Sequence, residues 1–490
     1  MKRFYKLSLL VIGLFLAGRV NAQQDTVSTF TLDRCLEYAL QHSINNQNAT
    51  LDQQIANAKV KETIGIGLPQ ISGSASVVHN PKLPRFFSTY QDTSVTHQSG
   101  GFQFLNSEQA NQLGVNHMDV IALRNFFQLQ SSGTAAITAN QLIFNGSYLV
   151  GLKASKTYKE LATKGANVTK ETTIVQVTKA YYAVIINKER IKLFDANIGR
   201  VDSLLRNTKA LNQNGLAESI DVDRIQVNLN NLVAERERFI NLNELGLELL
   251  KFQMNYPMER RINVAGTIQE IQLETNTDGF KKHWSYASRP DYQMMETNKH
   301  LQELNVRNKY AQAMPVMSAF GTLGYSTQSP NIAGVFKTNS RFSDTGIIGP
   351  DKWYNYSQIG ISLSLPIFAG GQRHYQVQQE KLALLKIVNN FQGLKNSVDL
   401  DIKQSTLMFE NALKSLSIQR DNMNLAERVA RVTRIKYEQG VGSNLEVVDA
   451  ENSLRTAQTN YYSALYDAMI ARVDLQKAYG KVLPNNTSNN

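Results

Sequence analysis

The sequence of 490 residues contains a single cysteine, Cys35. One thiol excludes an intrachain disulfide, so an exported chain of this composition does not depend on disulfide bonds for its stability. Cys35 lies in a short amphipathic segment with Leu32, Leu36 and Leu40. That setting favours a packed apolar role for its side chain over a nucleophilic one.

Sequence patterns of known catalytic and metal sites are also missing. The seven histidines are scattered, and no HExxH, GxSxG or P-loop pattern occurs. The acids of interest fall where helices are predicted to begin, and acids there commonly interact with the helix dipole; they are Asp221, Asp223, Glu446 and Asp449. The other two interpretations are a glycosidase-type pair and a ring of acids at a pore constriction. We therefore expect a protein that is not an enzyme and holds no cofactor or metal.

Long apolar runs are scarce. Beyond the N-terminus, no segment offers the ~18 consecutive apolar residues of a membrane-spanning helix. Residues 1–22 have the pattern of a secretory signal peptide, because Lys2, Arg3 and Lys6 precede a short apolar core and a small-residue cleavage site at 20–22. An anchor helix is the less favoured alternative. If such an exported chain spans a membrane, it must do so with strands in a closed barrel, which points to the bacterial outer membrane.

Positive charge is not gathered into a patch. The formal net charge is +11, and four of the positive charges belong to the predicted signal peptide. The remaining charges are dispersed along an exported chain without any Lys/Arg block. We therefore expect no nucleic-acid partner.

Proline placement indicates where long helices lie. None of the ten prolines falls between Pro84 and Pro257 or between Pro366 and Pro484. Proline disrupts helix interiors, and apolar residues in both gaps recur at steps of three, four or seven, as in coiled coils. The pattern predicts long helical hairpins over about 147–256 and 371–480. A helix from 147 to 211 would be roughly 100 Å long.

Glycines mark the turn inside each predicted hairpin. Gly215 and Gly440 are residues of the kind that end helices. Ser219 and Ser443 can then cap the helices that follow.

Four short segments alternate apolar and polar residues, as half-buried or membrane strands do. They lie at about 70–78, 133–144, 316–326 and 356–367. Taken alone, the alternation also fits a soluble sandwich. The segments between paired strands, 79–132 and 327–355, are polar, and we expect them to be external loops. Single-chain membrane barrels begin at about eight strands, so this chain would have to share a barrel with copies of itself, and three copies give twelve strands.

These elements occur twice in the same order. The first repeat spans 23–256 and the second 284–483, with a linker at 257–283 and a tail at 484–490. The strand-to-helix junctions Leu142-Ile143-Phe144-Asn145-Gly146 and Pro366-Ile367-Phe368-Ala369-Gly370 match most clearly.

The repeat, the junctions, Pro69 and Pro315 before the strands, and the two hairpin turns together resemble the TolC-type outer-membrane efflux proteins, or outer membrane factors. The resemblance implies an α+β membrane protein: a homotrimer whose 12-stranded β-barrel is continued by a long periplasmic α-helical coiled-coil barrel. It also implies a passive exit duct of tripartite efflux or type I secretion. The implied partners are outer membrane lipid, a periplasmic adaptor (membrane fusion protein) and an inner-membrane transporter of RND or ABC type.

The resemblance also assigns residues to the periplasmic tip. Asp221 and Tyr437 match positions that hold the tip closed. Glu446 and Asp449 match acidic rings at the constriction. Where some members of the family carry an arginine, this chain has Gly442. Either the closing network is therefore thinner here, or Arg434 or another group substitutes.

An adaptor would dock at the hairpin turns, which are Gly215 with Leu216 and Gly440 with Val441. The alternative function is a periplasmic coiled-coil adaptor or structural protein without a pore. The four alternating segments argue against that alternative, because an adaptor needs no membrane strands. A secreted enzyme is disfavoured by the missing catalytic site.

Overall fold

The structure is a computed structural model that describes residues 28–91, 105–123, 125, 127–267, 278–281, 284–337 and 353–483. The predicted signal peptide and the tail at 484–490 lie outside the described residues. So do parts of both predicted external loops and of the linker.

The described residues form the following elements in chain order. Before and within the first hairpin they are β1 (Ser28–Phe30), α1 (Leu32–His42), α2 (Ile44–Ile66), β2 (Gln70–His79), β3 (Phe86–Thr89), α3 (Ser107–Leu113), β4 (Val120–Leu123), β5 (Ser131–Asn145), α4 (Gly146–Gln213) and α5 (Ser219–Met254). The remaining elements are β6 (Ile262–Val264), α6 (Asp278–Lys281), a 3₁₀ turn (Tyr286–Ser288), α7 (Pro290–Ala311), β7 (Val316–Ser329), α8 (Ile332–Val335), β8 (Tyr354–Ser364), α9 (Gln372–Glu438) and α10 (Asn444–Ala478).

The chain divides into two compact units. The helical unit comprises the described residues up to 59, 155–303 and from 381 onward, and the sheet unit comprises 60–154 and 304–380. Each unit therefore draws on both halves of the sequence.

The sheet unit is built on one four-stranded antiparallel sheet in the order β2-β5-β7-β8. Register places Ile71 opposite Ala139, and Gly321 opposite both Ala139 and Ile359. Residues opposite one another point to the same side, so one face collects the apolar residues and the other the serines and threonines. The fourth predicted strand ends at Ser364 rather than 367, because Pro366 has no amide to donate to a ladder.

The apolar face is strongly exposed in the single chain. Its exposed fractions are 73% for Ile71, 60% for Ile137, 68% for Leu323, 90% for Ile359 and 70% for Ile361. On the opposite face, hydroxyl groups pair across the strands: Ser76 Oγ lies 2.7 Å from Thr134 Oγ1, and Thr138 Oγ1 lies 3.1 Å from Thr322 Oγ1.

The first predicted loop contains secondary structure that the sequence pattern did not indicate. Strands β3 and β4 form an antiparallel hairpin, and α3 packs with it around Tyr90, Ala110 and Ile121. The strands have four residues each, which is too short for a recognisable alternation. The second loop contains α8, where Trp353 Nε1 donates to the Val335 carbonyl at 3.0 Å.

The helical unit contains the two hairpins. Helices α4 and α9 have 68 and 67 residues, which corresponds to roughly 100 Å each. They turn back as α5 and α10, of 36 and 35 residues. The similar lengths agree with a duplicated hairpin. No helix within the described ranges is both long and apolar enough to cross a membrane.

A two-stranded parallel sheet joins the start of the chain to the segment after the first hairpin. β1 pairs with β6, and Lys188 on α4 donates to the Asn263 side chain and the Val264 carbonyl, both at 2.6 Å. Cys35 is fully buried in the adjoining core. Its burial raises the pKa of the thiol to about 12, which agrees with the packed role expected from the sequence.

Candidate functional site

The two hairpin turns have the same backbone geometry. Gly215 and Gly440 both have φ of 72°, in the left-handed region that favours glycine. In each turn, the amide after the glycine donates to the carbonyl five residues earlier, at 2.9 Å in the first turn and 3.0 Å in the second. This is the Schellman arrangement that ends helices. The next side chains, Leu216 and Val441, are 75% and 77% exposed, so each turn presents one aliphatic residue to solvent.

The helices after the turns begin differently. Ser443 Oγ accepts from the Glu446 amide at 3.2 Å and caps α10 as expected. The prediction for Ser219 was wrong, because α5 begins one residue earlier than expected. Glu218 occupies the capping position and makes no side-chain cap. The first turn of α5 therefore lacks the side-chain hydrogen bond that fixes α10.

Tyr437 and Asp221 both lie where the two hairpins meet, but they have different partners. The Tyr437 hydroxyl lies 3.2 Å from Thr208 Oγ1 on α4. The Asp221 carbonyl accepts from Asn444 Nδ2 at 3.1 Å, and its carboxylate faces Arg224 at 3.8 Å. These contacts connect the first hairpin to the second through α4 and α5.

Glu446 and Asp449 lie on one side of α10, three residues apart, and both are exposed in the single chain. The neighbouring residues Val447, which is fully buried, and Ala450, which is 7% exposed, face the packed side of the helix. In the part of the chain that the structure describes, no group of three or more His, Cys, Asp or Glu residues could hold a metal ion. The two acids are therefore placed to meet solvent, or another copy of the chain.

The structure shows a charged residue at this site that was not predicted. Glu451 is 6% exposed and forms an ion pair with Arg434 of α9. Its second oxygen lies 3.8 Å from Arg200 Nε of α4. A signal was present in the sequence, because Val447, Glu451 and Leu454 follow one another at steps of four and three. That spacing puts Glu451 on the buried stripe of α10.

Polar contacts continue along α4 and α10, away from the turns. They are Asn197 Nδ2 to Gln458 Oε1 at 3.1 Å, Arg190 Nη2 to Ser463 Oγ at 2.7 Å, and Lys179 Nζ to Asp474 Oδ1 at 2.6 Å. In each pair the donor lies on α4 and the acceptor on α10. The first and second hairpins are thus joined by a row of directional contacts as well as by apolar packing.

A second buried charge cluster lies around Arg289, which is 7% exposed. Its guanidinium donates to both Asp291 oxygens at 3.0 and 2.8 Å, to Asp401 at 2.8 Å and to the Ala478 carbonyl at 3.2 Å. Glu171 on α4 is 5% exposed, and its Oε1 has no hydrogen-bond partner among the described residues. Burial and the charge of Asp291, opposed by Arg289, raise the pKa of Glu171 to about 7.

Comparisons with known proteins agree with this geometry. Residues 286–481 match the family described as Outer membrane efflux protein. The chain is similar to the "Outer membrane protein TolC" of Vibrio cholerae, with 20% identity over 347 residues that cover 71% of this chain and 76% of the relative. It is also similar to the "Outer membrane efflux protein BepC" of Brucella suis, with 20% identity over 359 residues that cover 72% and 73%.

Solved structures show the same fold. The open-state MtrE outer membrane channel of Neisseria gonorrhoeae gives a TM-score of 0.68 with 16% identity, covering 94% of this chain and 91% of that one. The outer membrane protein VceC of Vibrio cholerae gives 0.67 with 16% identity, covering 92% and 96%.

The chain thus has the fold of these outer membrane proteins. Residues 286–481 match the outer membrane efflux protein family, the chain is similar to TolC-type proteins over most of its length, and it is located in the bacterial outer membrane. The resemblance stated from the sequence is confirmed. The family and its relatives are channel proteins rather than enzymes.

Proposed function

We propose that this protein is the outer-membrane exit duct of a tripartite efflux or type I secretion system. It would act as a passive homotrimeric channel that a periplasmic adaptor and an inner-membrane pump of RND or ABC type open. The observation that carries the proposal is the sheet β2-β5-β7-β8, which has one exposed apolar face and one face of paired hydroxyl groups.

Such a sheet suits the wall of a membrane pore. Membrane barrels alternate residues that face lipid with residues that face the lumen. The exposed isoleucines and leucines would lie against lipid. Removal of apolar surface from water is stabilising by roughly 25 cal/mol per Å². The serine and threonine face would line a water-filled lumen. In a periplasmic adaptor or structural protein, this apolar face would be exposed to water and would have no role.

The sheet also supports a shared barrel. Strands β2 and β8 each pair on one side only among the described strands, and an unpaired edge in a bilayer is costly because nothing there satisfies its backbone groups. Pairing β8 of one copy with β2 of the next removes both edges. Three copies would give twelve strands.

Exposed apolar stripes in the helical unit support the same assembly. On α5 the stripe is Leu242, Leu245, Leu249 and Phe252, from 38% to 70% exposed. On α9 it is Leu400, Leu407, Ile418, Leu425 and Val432, from 51% to 65% exposed. The second stripe repeats at steps of seven and eleven residues, which is the spacing of a coiled-coil seam. Neighbouring copies would cover these stripes.

The remaining predicted roles belong to the tip. Three copies would convert Glu446 and Asp449 into two rings of three carboxylates. Gly215 with Leu216 and Gly440 with Val441 would form the surface on which an adaptor docks. Asp221 and Tyr437 would contribute to holding the hairpins together before an adaptor binds.

Two measurements on detergent-extracted protein test the proposal. Light scattering should give a protein mass three times that of the mature chain, and planar lipid bilayers containing the protein should show single-channel currents. A monomeric or dimeric mass would contradict the shared barrel. A trimer found only in the soluble periplasmic fraction, without channel activity, would favour the coiled-coil alternative.

A further inference from the structure

The buried Arg289 site of the second repeat has a counterpart in the first. Ser43 and Arg289 stand equally far before Pro69 and Pro315, and each directly precedes a helix, α2 and α7 respectively. Their backbones are similar, with ψ of 131° at Ser43 and 130° at Arg289. Each carbonyl accepts from the amide four residues later, at 2.9 and 3.2 Å. The two residues therefore occupy equivalent places in the duplicated fold.

The ends of α5 and α10 are equivalent in the same way. Asn255 and Gly480 stand equally far after the glycines of the hairpin turns, and their φ angles are 57° and 65°. A Cβ on Gly480 would lie only 2.5 Å from the Ser288 carbonyl oxygen, so the backbones are in close contact there. In the first repeat, the Asn255 side chain lies at this point, and its Nδ2 donates to the His42 carbonyl at 2.9 Å. The asparagine thus separates two segments that touch directly in the second repeat.

The two sites hold different side chains. In the second repeat, the Arg289 guanidinium is surrounded by acceptors from three elements, which are Asp291, Asp401 and the Ala478 carbonyl. The first repeat has an amide side chain at each equivalent position, and these are Asn45, Gln176 and Gln253. Serine fills far less volume than arginine, and a cavity of about 250 Å³ lies beside Ser43, lined by these three amides. We name this cavity the Ser43 socket.

The Ser43 socket suits an uncharged polar group. Amides in place of aspartates keep the carbonyl acceptors, remove the negative charge and add N–H donors. No acid or cation is among the described residues that line the socket, so an ion buried there would have no partner and would be costly. A carboxamide, which both donates and accepts hydrogen bonds, is the side-chain group that matches. The rim is apolar and open, since Ile44 is 57% and Phe252 is 70% exposed.

The duplicated fold also indicates which residue reaches such a site. In the second repeat, the carboxyl group of Glu171 on α4 interacts with the charges of Asp291 and Arg289. Asn396 of α9 stands as far before its turn glycine as Glu171 does before its own, so it is the equivalent residue. Its side chain is the carboxamide that the socket suits. In the single chain Asn396 is exposed, and its Oδ1 accepts from Gln392 of the same helix at 3.1 Å.

The contacts of α4 indicate where α9 would lie in an assembly. Within one chain, α4 contacts the second repeat, because Lys164 donates to Gln293 of α7 and Lys179 pairs with Asp474 of α10. In a closed head-to-tail ring of copies, each second hairpin lies beside the first repeat of the next copy. By equivalence, α9 of one copy would contact α2 and α5 of the next.

We propose that the Ser43 socket receives Asn396 of the neighbouring copy, whose carboxamide hydrogen-bonds to the socket amides. This inference rests on the proposed function, because it requires the homotrimer. The exposed apolar stripes of α5 and α9 continue past the contact. Phe252 of the α5 stripe lines the socket, and Leu400 of the α9 stripe follows Asn396 by about one helical turn. The polar contact would therefore fix the register of an otherwise apolar interface.

The first test is disulfide cross-linking in the detergent-extracted trimer. Asn45→Cys with Asn396→Cys places one thiol in the socket and one on the helix of the next copy. Cys35, the native thiol, is fully buried, so it does not compete. Oxidation should convert most chains into covalent dimers and trimers on a denaturing gel. In the matched control, Asn45→Cys with Ser397→Cys, the second thiol is rotated by about 100° around α9, and few chains should link.

The second test exchanges the side chains of the two repeats. Ser43→Arg puts into the socket the side chain that Arg289 supplies in the second repeat, and it should lower the temperature at which the trimer dissociates. Asn396→Glu should lower it too, because its carboxylate would have no cation in the socket. The double variant restores the arginine and glutamate of the second-repeat site, so it should dissociate at a higher temperature than either single variant. Ser43→Arg with Ser397→Glu is the control and should show no such recovery.

The outcomes separate this inference from the proposed function. If the unsubstituted protein is not a trimer or forms no channel, the proposed function fails. If it is a trimeric channel, either specific cross-linking of Asn396→Cys or specific recovery with Asn396→Glu supports the socket. Absence of both overturns it, as does a disulfide within one chain, which would consume both thiols without a change in gel mass. If the cysteine variants do not assemble, the dissociation temperatures alone decide.

Discussion

At the residue scale, the acidic side chains of α10 differ in how they are surrounded. Glu446 and Asp449 are exposed on α10, whereas Glu451 on the same helix is buried between two arginines. The difference follows from helical spacing, since 451 falls on the packed stripe and 446 and 449 do not. The exposed acids can therefore interact with ions in solution, whereas the buried acid forms ion pairs with neighbouring helices.

We predict that Glu446→Ala with Asp449→Ala reduces cation selectivity. Rings of carboxylates at a narrow passage attract cations, so their loss should also weaken block by multivalent cations. Reversal potentials in planar bilayers under a salt gradient measure the selectivity. Asp223→Ala, at an exposed acid near the start of α5, is the matched control. Unchanged selectivity and unchanged multivalent block in the double variant would assign these acids to ordinary helix ends.

At the element scale, the two turns determine where each long helix reverses. Both glycines adopt a backbone conformation that other residues adopt only at a cost, and a Cβ at Gly440 would meet nothing within 4 Å. A larger side chain would therefore fit at Gly440 without a clash, but it would strain the backbone. Its outer side is open, and it presents Val441 to solvent.

We predict that Gly440→Trp abolishes export while the trimer still reaches the outer membrane. A bulky ring on the open side of the turn would block an adaptor. Gly440→Ala carries the same backbone strain of about 1 kcal/mol without the bulk, so it should retain most export. Efflux assays and outer-membrane trimer levels are measured together. Normal export from the tryptophan variant would contradict the docking role.

At the scale of the whole molecule, stability depends on contacts between distant parts of the chain. Arg289 connects the start of α7 to α9 and to the end of α10, and Glu171 of α4 lies in the same buried cluster. Among the described residues, apolar stripes on α5 and α9 are exposed and strands β2 and β8 pair on one side only; in the proposed trimer, neighbouring copies would cover them.

The Glu171 cluster predicts a pH dependence of stability. The folded pKa of Glu171 is raised from 4.5 to about 7, so the folded protein holds more protons than the unfolded chain between these values. Stability from this group is full below about pH 4.5 and is lost as the pH rises towards 7. The whole effect is about 3 kcal/mol at most.

Glu171→Gln should remove this dependence. The amide mimics the neutral acid, so the apparent melting temperature of the trimer should be unchanged at pH 5 and raised at pH 8. Glu160→Gln, an exposed position on the same helix, is the control and should have no effect at either pH. A lower melting temperature for Glu171→Gln at pH 8 would show that the ionised carboxylate stabilises the fold.

Local patterns in the sequence determined most of the elements. Helix periodicity, the proline gaps and the two turn glycines act over a few residues, so they were readable without a structure. The strands at Gln70–His79 and Val316–Ser329 were likewise marked by alternation. Each of these patterns reflects the conformational preference of residues that are close in sequence, and it does not depend on the rest of the fold.

Tertiary structure decided the rest, because the relevant partners are far apart in sequence. The β3-β4 hairpin is too short to show a pattern and is fixed by packing around Tyr90 and Ile121. The spacing of apolar residues indicated that position 451 of α10 is buried, but the partner of Glu451, Arg200, lies in the other half of the chain. Periodicity shows which face of a helix is packed. Only the fold shows what charge lies opposite, since that depends on which two helices are brought together.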